Sequence, residues 1–178
     1  MKKNRIQPNL LLRGLLLNKG LRYCFSAFLL FCFSAFCFLF ISCNNNTFYH
    51  KSNTIPNEIW HKDSTFVYEF NISDSSKFYN FYFDIRNTVS FPYQNLFLFF
   101  SSQYPDGEIF TDTLNCILYD AYGRWTGKGS GRIKENRFAF KSKVCFPQTG
   151  NYFFTVQHAM RDTNLVGISD FGITLQYE

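Results

Sequence analysis

Residues 66–86 read FVYEFNISDSSKFYNFYFDIR, and the alternation within this stretch decides the fold class. Apolar side chains stand at every second position from Phe66 to Ile72 and again from Tyr79 to Ile85. Because successive side chains of a strand point to opposite faces, each segment is predicted to be a strand buried on one face.

The chain after residue 86 continues as short apolar segments separated by turn residues. Leu96–Phe100 is one such segment, and Pro105-Asp106-Gly107 after it is typical of a turn. Lys134-Glu135-Asn136-Arg137 is predicted to be a tight hairpin. Further strands are predicted at 108–119, 131–134, 137–145, 150–160 and 166–177. The pattern favours an all-β fold, an antiparallel β-sandwich of jelly-roll-like arrangement, with a small barrel as the alternative.

The N-terminal segment has the features of an export signal. The first 22 residues hold six Lys or Arg and no acid, and residues 23–42 carry no charge. Residues 40–46 then read FISCNNN, with a small residue directly before a cysteine. This pattern is typical of a bacterial lipoprotein, which predicts a signal peptide at 1–42, acyl chains such as palmitate on Cys43, a tether at 43–57 and a sandwich domain at 58–178.

An uncleaved transmembrane anchor is the alternative. Residues 23–42 are long enough to span a hydrocarbon core of about 30 Å, and they exceed the usual signal core of about 7–15 residues. The Ser42-Cys43 pair favours the lipoprotein, because an anchor needs no cysteine there. Either interpretation places the domain outside the cytoplasm, since the basic end stays inside.

Processing at Cys43 changes the charge and the cysteine count. The remaining 136 residues hold 12 basic and 13 acidic side chains, so the excess of positive charge belongs to the leader and gives no reason to expect nucleic-acid binding. Cys116 and Cys145 are the cysteines left in the domain. They are a candidate disulfide in an oxidising compartment, or else two separate thiols. No spacing of Cys and His suggests a metal site.

The segment 120–131, DAYGRWTGKGSG, is the densest candidate for binding chemistry. Its glycines lack the strand, Gly-Lys-Ser/Thr and helix context of a phosphate loop. They are predicted to let the chain reverse so that Trp125 packs on a neighbouring strand, the alternative being an exposed Trp125 platform. The scattered acids are predicted to be solvated or to pair with Arg86, Arg124 and Arg161, and no cofactor is expected.

Several short motifs in a fixed order resemble the GldH family of gliding-motility lipoproteins of Bacteroidetes. The resemblance extends from about Trp60 to Tyr177. The motif residues are Ile85-Arg86-Asn87-Thr88, Phe91-Pro92-Tyr93, Asn95-Leu96, Pro105-Asp106-Gly107, Asp112-Thr113-Leu114, Asp120 with Gly123, Trp125, Gly127 and Gly129, then Gln157, Met160-Arg161, Leu165, Gly167-Ile168, Asp170 and Gly172. Phe91 and Phe97 depart from the residues typical of the family.

The resemblance implies a cell-envelope lipoprotein that supports gliding or the linked secretion machinery. Because no catalytic constellation is recognisable, we expect a non-enzymatic role through contacts with proteins of that motility or secretion complex. Because no acid occurs between Cys43 and Glu58, we expect the chain on the periplasmic side of the outer membrane.

The resemblance carries over no catalytic residues, and Cys43 is the position with an assignable role. Trp125, Arg124 and Arg161 are candidate ligand or partner contacts. A carbohydrate-binding lipoprotein using Trp60, Trp125 or exposed tyrosines is the second hypothesis, and a hydrolase with two carboxylates brought together by the fold is the third.

Overall fold

The computed structural model describes residues 46–178, which contain strands, connecting loops and one short 3-10 turn. The strands are β1 Thr47–Thr54, β2 Ile59–His61, β3 Phe66–Ile72, β4 Phe78–Thr88, β5 Asn95–Gln103, β6 Ile109–Ile117, β7 Ile133–Cys145, β8 Gly150–His158, β9 Asn164–Val166 and β10 Ile168–Tyr177. The 3-10 turn is Pro56–Glu58. No helix among the described residues is long and apolar enough to cross a membrane.

Two four-stranded antiparallel sheets form the domain. The first sheet has the order β1-β10-β4-β7 and the second has the order β3-β8-β5-β6, while β2 and β9 form a small separate pair. Leaving that pair aside, the chain crosses from one sheet to the other after every strand except β5, which forms a hairpin with β6 in the second sheet. This double Greek key is the jelly roll. The prediction of an antiparallel, jelly-roll-like sandwich is therefore confirmed.

Aromatic side chains fill the space between the two sheets. The inward positions of β4 are buried, and Phe81 of the first sheet stacks on Phe154 of the second with ring centroids 5.0 Å apart. Phe70 meets the same Phe154 ring edge-on at 4.8 Å. Burying one such side chain contributes about 1.5–3 kcal/mol, so the alternation noted in residues 66–86 is the main source of stability.

The tether prediction for 43–57 is wrong from Thr47 onward. Thr47–Thr54 is strand β1 and pairs with β10, with Thr54 opposite Asp170. Phe48 lies 5.0 Å from the Tyr79 ring and 5.4 Å from the Tyr177 ring, which fixes the strand to the core. The pattern is weak in sequence because β1 is an edge strand with few apolar residues.

The hairpin predicted at Lys134–Arg137 is also wrong. Ile133–Cys145 is one continuous strand, because the polar side chains in its middle have partners within the sheet. Asn136 is buried and donates to Asn87 at 2.8 Å, and Arg137 donates to Asp84 at 2.6 Å.

The candidate disulfide between Cys116 and Cys145 does not form. Both are free thiols, Cys116 buried on β6 of the second sheet and Cys145 exposed at the end of β7 in the first sheet. Burial raises the pKa of Cys116 to about 12, which keeps it protonated. The predicted signal peptide and the lipidated Cys43 lie outside the described residues.

The strands run between two ends of the sandwich that we name by their loops. The basal end comprises Asn46, the end of β10 and the loops 73–77, 104–108 and 146–149. The apical end comprises the loops 89–94, 118–132 and 159–163. All three candidate contact residues predicted from the sequence, Arg124, Trp125 and Arg161, therefore lie at the apical end.

Candidate functional site

The longest apical loop, 118–132, is organised by one carboxylate. Asp120 Oδ1 accepts hydrogen bonds from the backbone N–H groups of Tyr122 and Arg124, both at 2.9 Å. Asp120 Oδ2 accepts a bond from Arg124 Nε at 2.8 Å. These bonds, led by the one from the Arg124 backbone, lower the pKa of Asp120. The Asp120 side chain therefore holds this loop in place, although in the sequence Asp120 is one of several scattered acids.

A buried polar network fixes the second half of the loop to the first sheet. Thr126 Oγ1 donates to Asn136 Oδ1 at 3.0 Å, and Asn136 Nδ2 donates to Asn87 Oδ1 at 2.8 Å. Gly127 lies against this network, and a Cβ there would be 2.7 Å from Asn136 Nδ2. The glycine at this position therefore allows a close approach between the loop and β7.

The two tryptophans differ in their surroundings. Trp125 is half-buried and lies against Tyr119, with ring centroids 3.6 Å apart, so one face of its indole is covered. Tyr119 in turn donates its hydroxyl to Phe91 O at 3.2 Å. Trp60 is 1% exposed and donates Nε1–H to Ser64 O at 2.9 Å. Trp60 therefore cannot stack on a sugar, so the carbohydrate hypothesis loses one of its two candidate tryptophans.

The two candidate arginines are exposed and differ in their contacts. Arg124 pairs with Asp120, and its guanidinium lies 5.2 Å from the centroid of the Tyr122 ring. Arg161 forms no ion pair within residues 46–178, and its neighbour Asp162 accepts a 2.6 Å bond from the Tyr93 hydroxyl. The expected pairing of arginines with acids thus holds for Arg124 and not for Arg161.

Motifs far apart in sequence meet at the apical end. Thr88 N–H donates to Gly167 O at 2.8 Å, and Gly167 lies so close to Phe91 that a Cβ would be 2.8 Å from its Cα. The backbone N–H of Phe97 lies 3.4 Å from Met160 Sδ. The folded chain therefore gathers segments around residues 90, 120, 160 and 167 into one surface.

A groove on the outer face of the first sheet adjoins these loops. Its volume is about 960 Å³, and its lining includes Asp84 on β4, Arg137 on β7, His50 on β1 and Thr126 of the apical loop. Asp84, with its side chain 19% exposed, accepts Arg137 Nε–H at 2.6 Å and the Thr174 hydroxyl. Thr174 Oγ1 also lies 2.8 Å from His50 Nδ1. Four strands thus contribute to one hydrogen-bonded row.

A second row of charges crosses the same face. Arg86 lies between Glu135, at 3.2 Å, and Asp170, at 3.5 Å, and Thr54 donates to Asp170 at 2.7 Å. The aspartates, glutamate and arginines of these two rows are paired with one another, whereas Lys128, which also lines the groove, has no acid within 4.0 Å among the described residues. The groove is therefore suited mainly to hydrogen-bonding a polar surface. Among residues 46–178 no three metal-ligating side chains converge. In the sequence, only the alternating polar positions of β4 indicate this groove.

The core contains one histidine at the apical ends of the strands. His158 is buried, and its ring lies 5.6 Å from the Trp60 ring. Burial lowers the pKa of His158, because the imidazolium form is poorly solvated there. The side chain is therefore part of the apolar packing and does not face the groove.

The sequence profile of the GldH lipoprotein family matches residues 47–175, from the first residue of β1 nearly to the end of β10. The chain belongs to the GldH lipoprotein family. It is 35% identical over 158 residues to a gliding motility lipoprotein GldH homolog of Christiangramia forsetii, covering 85% of this chain and 96% of the relative. It is 29% identical over 145 residues to gliding motility lipoprotein GldH of Flavobacterium johnsoniae, covering 78% of this chain and 89% of the relative.

Solved structures add little to the family assignment. Dimeric latent PorU from Porphyromonas gingivalis matches at a TM-score of 0.32 and 10% identity, over 77% of this chain and 13% of that one. A TM-score of this size supports no inference about function.

Proposed function

We propose that this GldH-family chain is a lipoprotein held in the outer membrane by acylated Cys43, facing the periplasm, and that it supports gliding motility or the linked secretion machinery through protein–protein contacts. The contact surface we assign is the apical end, with Arg124, Trp125 and Arg161. The role is one of binding, with no catalytic step assigned to any residue.

The observation that carries this proposal is the gathering of family motifs around residues 90, 120, 160 and 167 at the apical end, where hydrogen bonds hold the loop 118–132 in place. Asp120 fixes the loop that presents Tyr122, whose side chain is 84% exposed, and Arg124 beside it. Tyrosine and arginine are enriched at binding hot spots, and a loop already ordered loses less entropy on binding. Exposure of these residue types on a rigid loop is what a docking surface requires.

The sequence around Cys43 supports the anchor and the facing. A basic segment, an uncharged segment and Ser42-Cys43 follow one another in the order of a lipoprotein signal. No acid occurs between Cys43 and Glu58, whereas surface-exposed lipoproteins of this phylum tend to carry acids soon after the cysteine. Protease treatment of intact cells tests the facing, and we expect the domain to be protected until the outer membrane is opened.

Cys43→Ala tests the anchor. The variant is expected to accumulate as unprocessed precursor without an acyl group. The wild-type chain in cells treated with globomycin is expected to accumulate as precursor that keeps its signal peptide. Normal processing and unchanged membrane retention of Cys43→Ala would contradict the lipoprotein assignment.

Photocrosslinking tests the contact surface. A photoreactive amino acid in place of Tyr122 is expected to capture envelope proteins in native membranes, and Arg161→Glu in the same chain is expected to abolish that capture. Lys141→Glu is the matched control, since it reverses one exposed charge on β7 away from the apical loops. Equal capture by the Arg161→Glu and Lys141→Glu chains would count against the apical surface.

A further inference from the structure

We infer that the basal end of the sandwich rests on the lipid surface, with Phe78 in the headgroup region and the apical loops directed away from it. The inference rests on the proposed acylation of Cys43. Its structural basis is the short distance along the chain between that cysteine and the first strand.

The chain between Cys43 and the folded domain is very short. Asn46 is fixed to the end of β10, since its side chain donates to Tyr177 O at 2.6 Å and its carbonyl accepts from Tyr177 N at 2.9 Å. Only Asn44 and Asn45 lie between Cys43 and Asn46. Three residues of fully extended chain span about 10 Å. An acyl group on Cys43 therefore holds the basal end at the membrane surface.

Phe78 lies at the same end of the same sheet. Strand β10 separates β1 from β4, so Phe78 is two strand spacings, about 10 Å, from Asn46. The Glu178 N–H donates to Phe78 O at 3.1 Å, which fixes this arrangement. Phe78 is 50% exposed, and the preceding Lys77 places its ammonium 5.2 Å from the Tyr177 ring. An exposed aromatic ring beside a lysine suits the boundary between acyl chains and headgroups.

Both basal lysines are paired with acids, and Asp106 and Glu108 of the loop 104–108 add negative charge, so the contact does not depend on anionic lipid. Lys77 lies 4.0 Å from Asp74, and Lys143 lies 2.6 Å from Glu178. The tether and the Phe78 ring, and not a net charge, bring this end to the bilayer.

Two other surfaces compete for the lipid contact. The outer face of the second sheet exposes Phe97 and Phe99, but Asn46 belongs to the first sheet, and stacked sheets are about 10 Å apart. A tether of about 10 Å disfavours turning that face to the membrane. The apical loops are farther still, because β4 has 11 residues and is about 35 Å long.

The test uses the processed, acylated chain from Cys43 onward in vesicles of phosphatidylethanolamine and phosphatidylglycerol. With Cys145→Ser as background and Cys116 buried, single fluorophores are attached after Phe78→Cys, Ser76→Cys, Phe99→Cys or Tyr122→Cys. Lipids carrying a quencher on the upper acyl chain report proximity. We expect quenching several-fold stronger at positions 78 and 76 than at 99 or 122. The same difference between these positions is expected in vesicles of phosphatidylcholine alone.

The possible results separate this inference from the proposed function. Mass spectrometry of the acyl group and co-flotation with vesicles are measured on every labelled chain. If the chain is acylated and floats but position 99 or 122 is quenched as strongly as 78, the basal orientation is wrong and the lipoprotein assignment stands. If no acyl group is found on Cys43, both fail. Ser76→Cys supplies a second basal reporter should Phe78→Cys perturb folding.

Discussion

Asp84 and Asp120 show how one carboxylate can organise a surface. Asp84 connects Arg137 to Thr174 across the first sheet, and Asp120 closes the apical loop by accepting two backbone N–H groups and the Arg124 side chain. Asp84 stands in none of the sequence motifs, and the motif that contains Asp120 does not show which groups its carboxylate binds. Their roles depend on neighbours that the fold supplies from distant segments.

Asp120→Ala is expected to loosen the apical loop. The substitution removes the acceptor of the Tyr122 and Arg124 amides, so these two amides should exchange hydrogen faster in NMR or mass-spectrometric exchange measurements. Asp120→Asn is the matched control, because its side-chain oxygen can still accept both amides while losing the ion pair. Equal exchange rates in the alanine variant and the wild type would show that the loop is ordered by other contacts.

Gly127→Ala is expected to lower the free energy of unfolding by about 1–3 kcal/mol, because the added methyl would overlap the Asn136 amide and disturb its bond to Thr126. Gly131→Ala is the control, since a Cβ there meets no atom within 4 Å. Urea unfolding of both variants measures the difference. A Gly127→Ala variant as stable as Gly131→Ala would mean that the loop accommodates the added methyl group without loss of stability.

Strands β1 and β7 mark the limit of what the sequence alone predicts. β3 and β4 were predictable because one face is buried along their whole length. β1 was not, since Phe48 and Tyr49 are its only large apolar residues and its outer face is polar. The polar residues Lys134–Arg137 near the start of β7 resemble a turn in sequence. In the structure Asn136 and Arg137 pair with side chains of β4, and such partners cannot be identified without the strand order.

The same distinction applies to the candidate site. The glycine and tryptophan loop was recognisable as a local pattern, whereas the groove is formed by residues of four separate strands. Its lining residues, among them His50 and Arg137, are ordinary surface residues in sequence. Only the register of the first sheet brings them into one row.

Phe48→Ala tests whether residues 47–54 act as a strand or as a tether. Phe48 is half-buried against the rings of Tyr79 and Tyr177, so its truncation is expected to cost about 2 kcal/mol of unfolding free energy. Ser52→Ala, at an exposed position of the same strand, should change stability by less than about 0.5 kcal/mol. Denaturant unfolding measures both, and a neutral Phe48→Ala would restore the tether interpretation.

At the scale of the whole molecule, the two ends of the sandwich have separate tasks in our proposals. The basal end carries the two ends of the described domain and the anchor, and the apical end carries most of the family motifs. The aromatic core between them ties the two sheets together. Because that core includes His158, the stability of the entire domain is coupled to pH.

The free energy of unfolding is expected to fall as the pH drops from 7.5 to 5.5. Burial lowers the pKa of His158 in the folded state, so below about pH 6.5 the unfolded chain binds the proton more readily and is favoured. His158→Leu should flatten this part of the profile. Hydrogen bonds lower the pKa of Asp74, Asp106 and Asp120, so their contribution is lost only below about pH 4. Urea unfolding across the pH range measures the profile, and a flat wild-type profile above pH 5.5 would refute the assignment to His158.

The hydrogen bond between the Tyr177 amide and Asn46 O, at 2.9 Å, places the beginning and the end of the domain side by side. Neighbouring termini allow circular permutation. A short linker from Glu178 to Asn46, with new termini opened between the exposed Ser130 and Gly131, would keep all ten strands and the Asp120 turn. It would move the N-terminus that we propose to be lipidated to the opposite end. The same fold would then have its apical end, and not its basal end, at the bilayer. Such an inverted lipoprotein separates what the domain recognises from the direction in which it is presented.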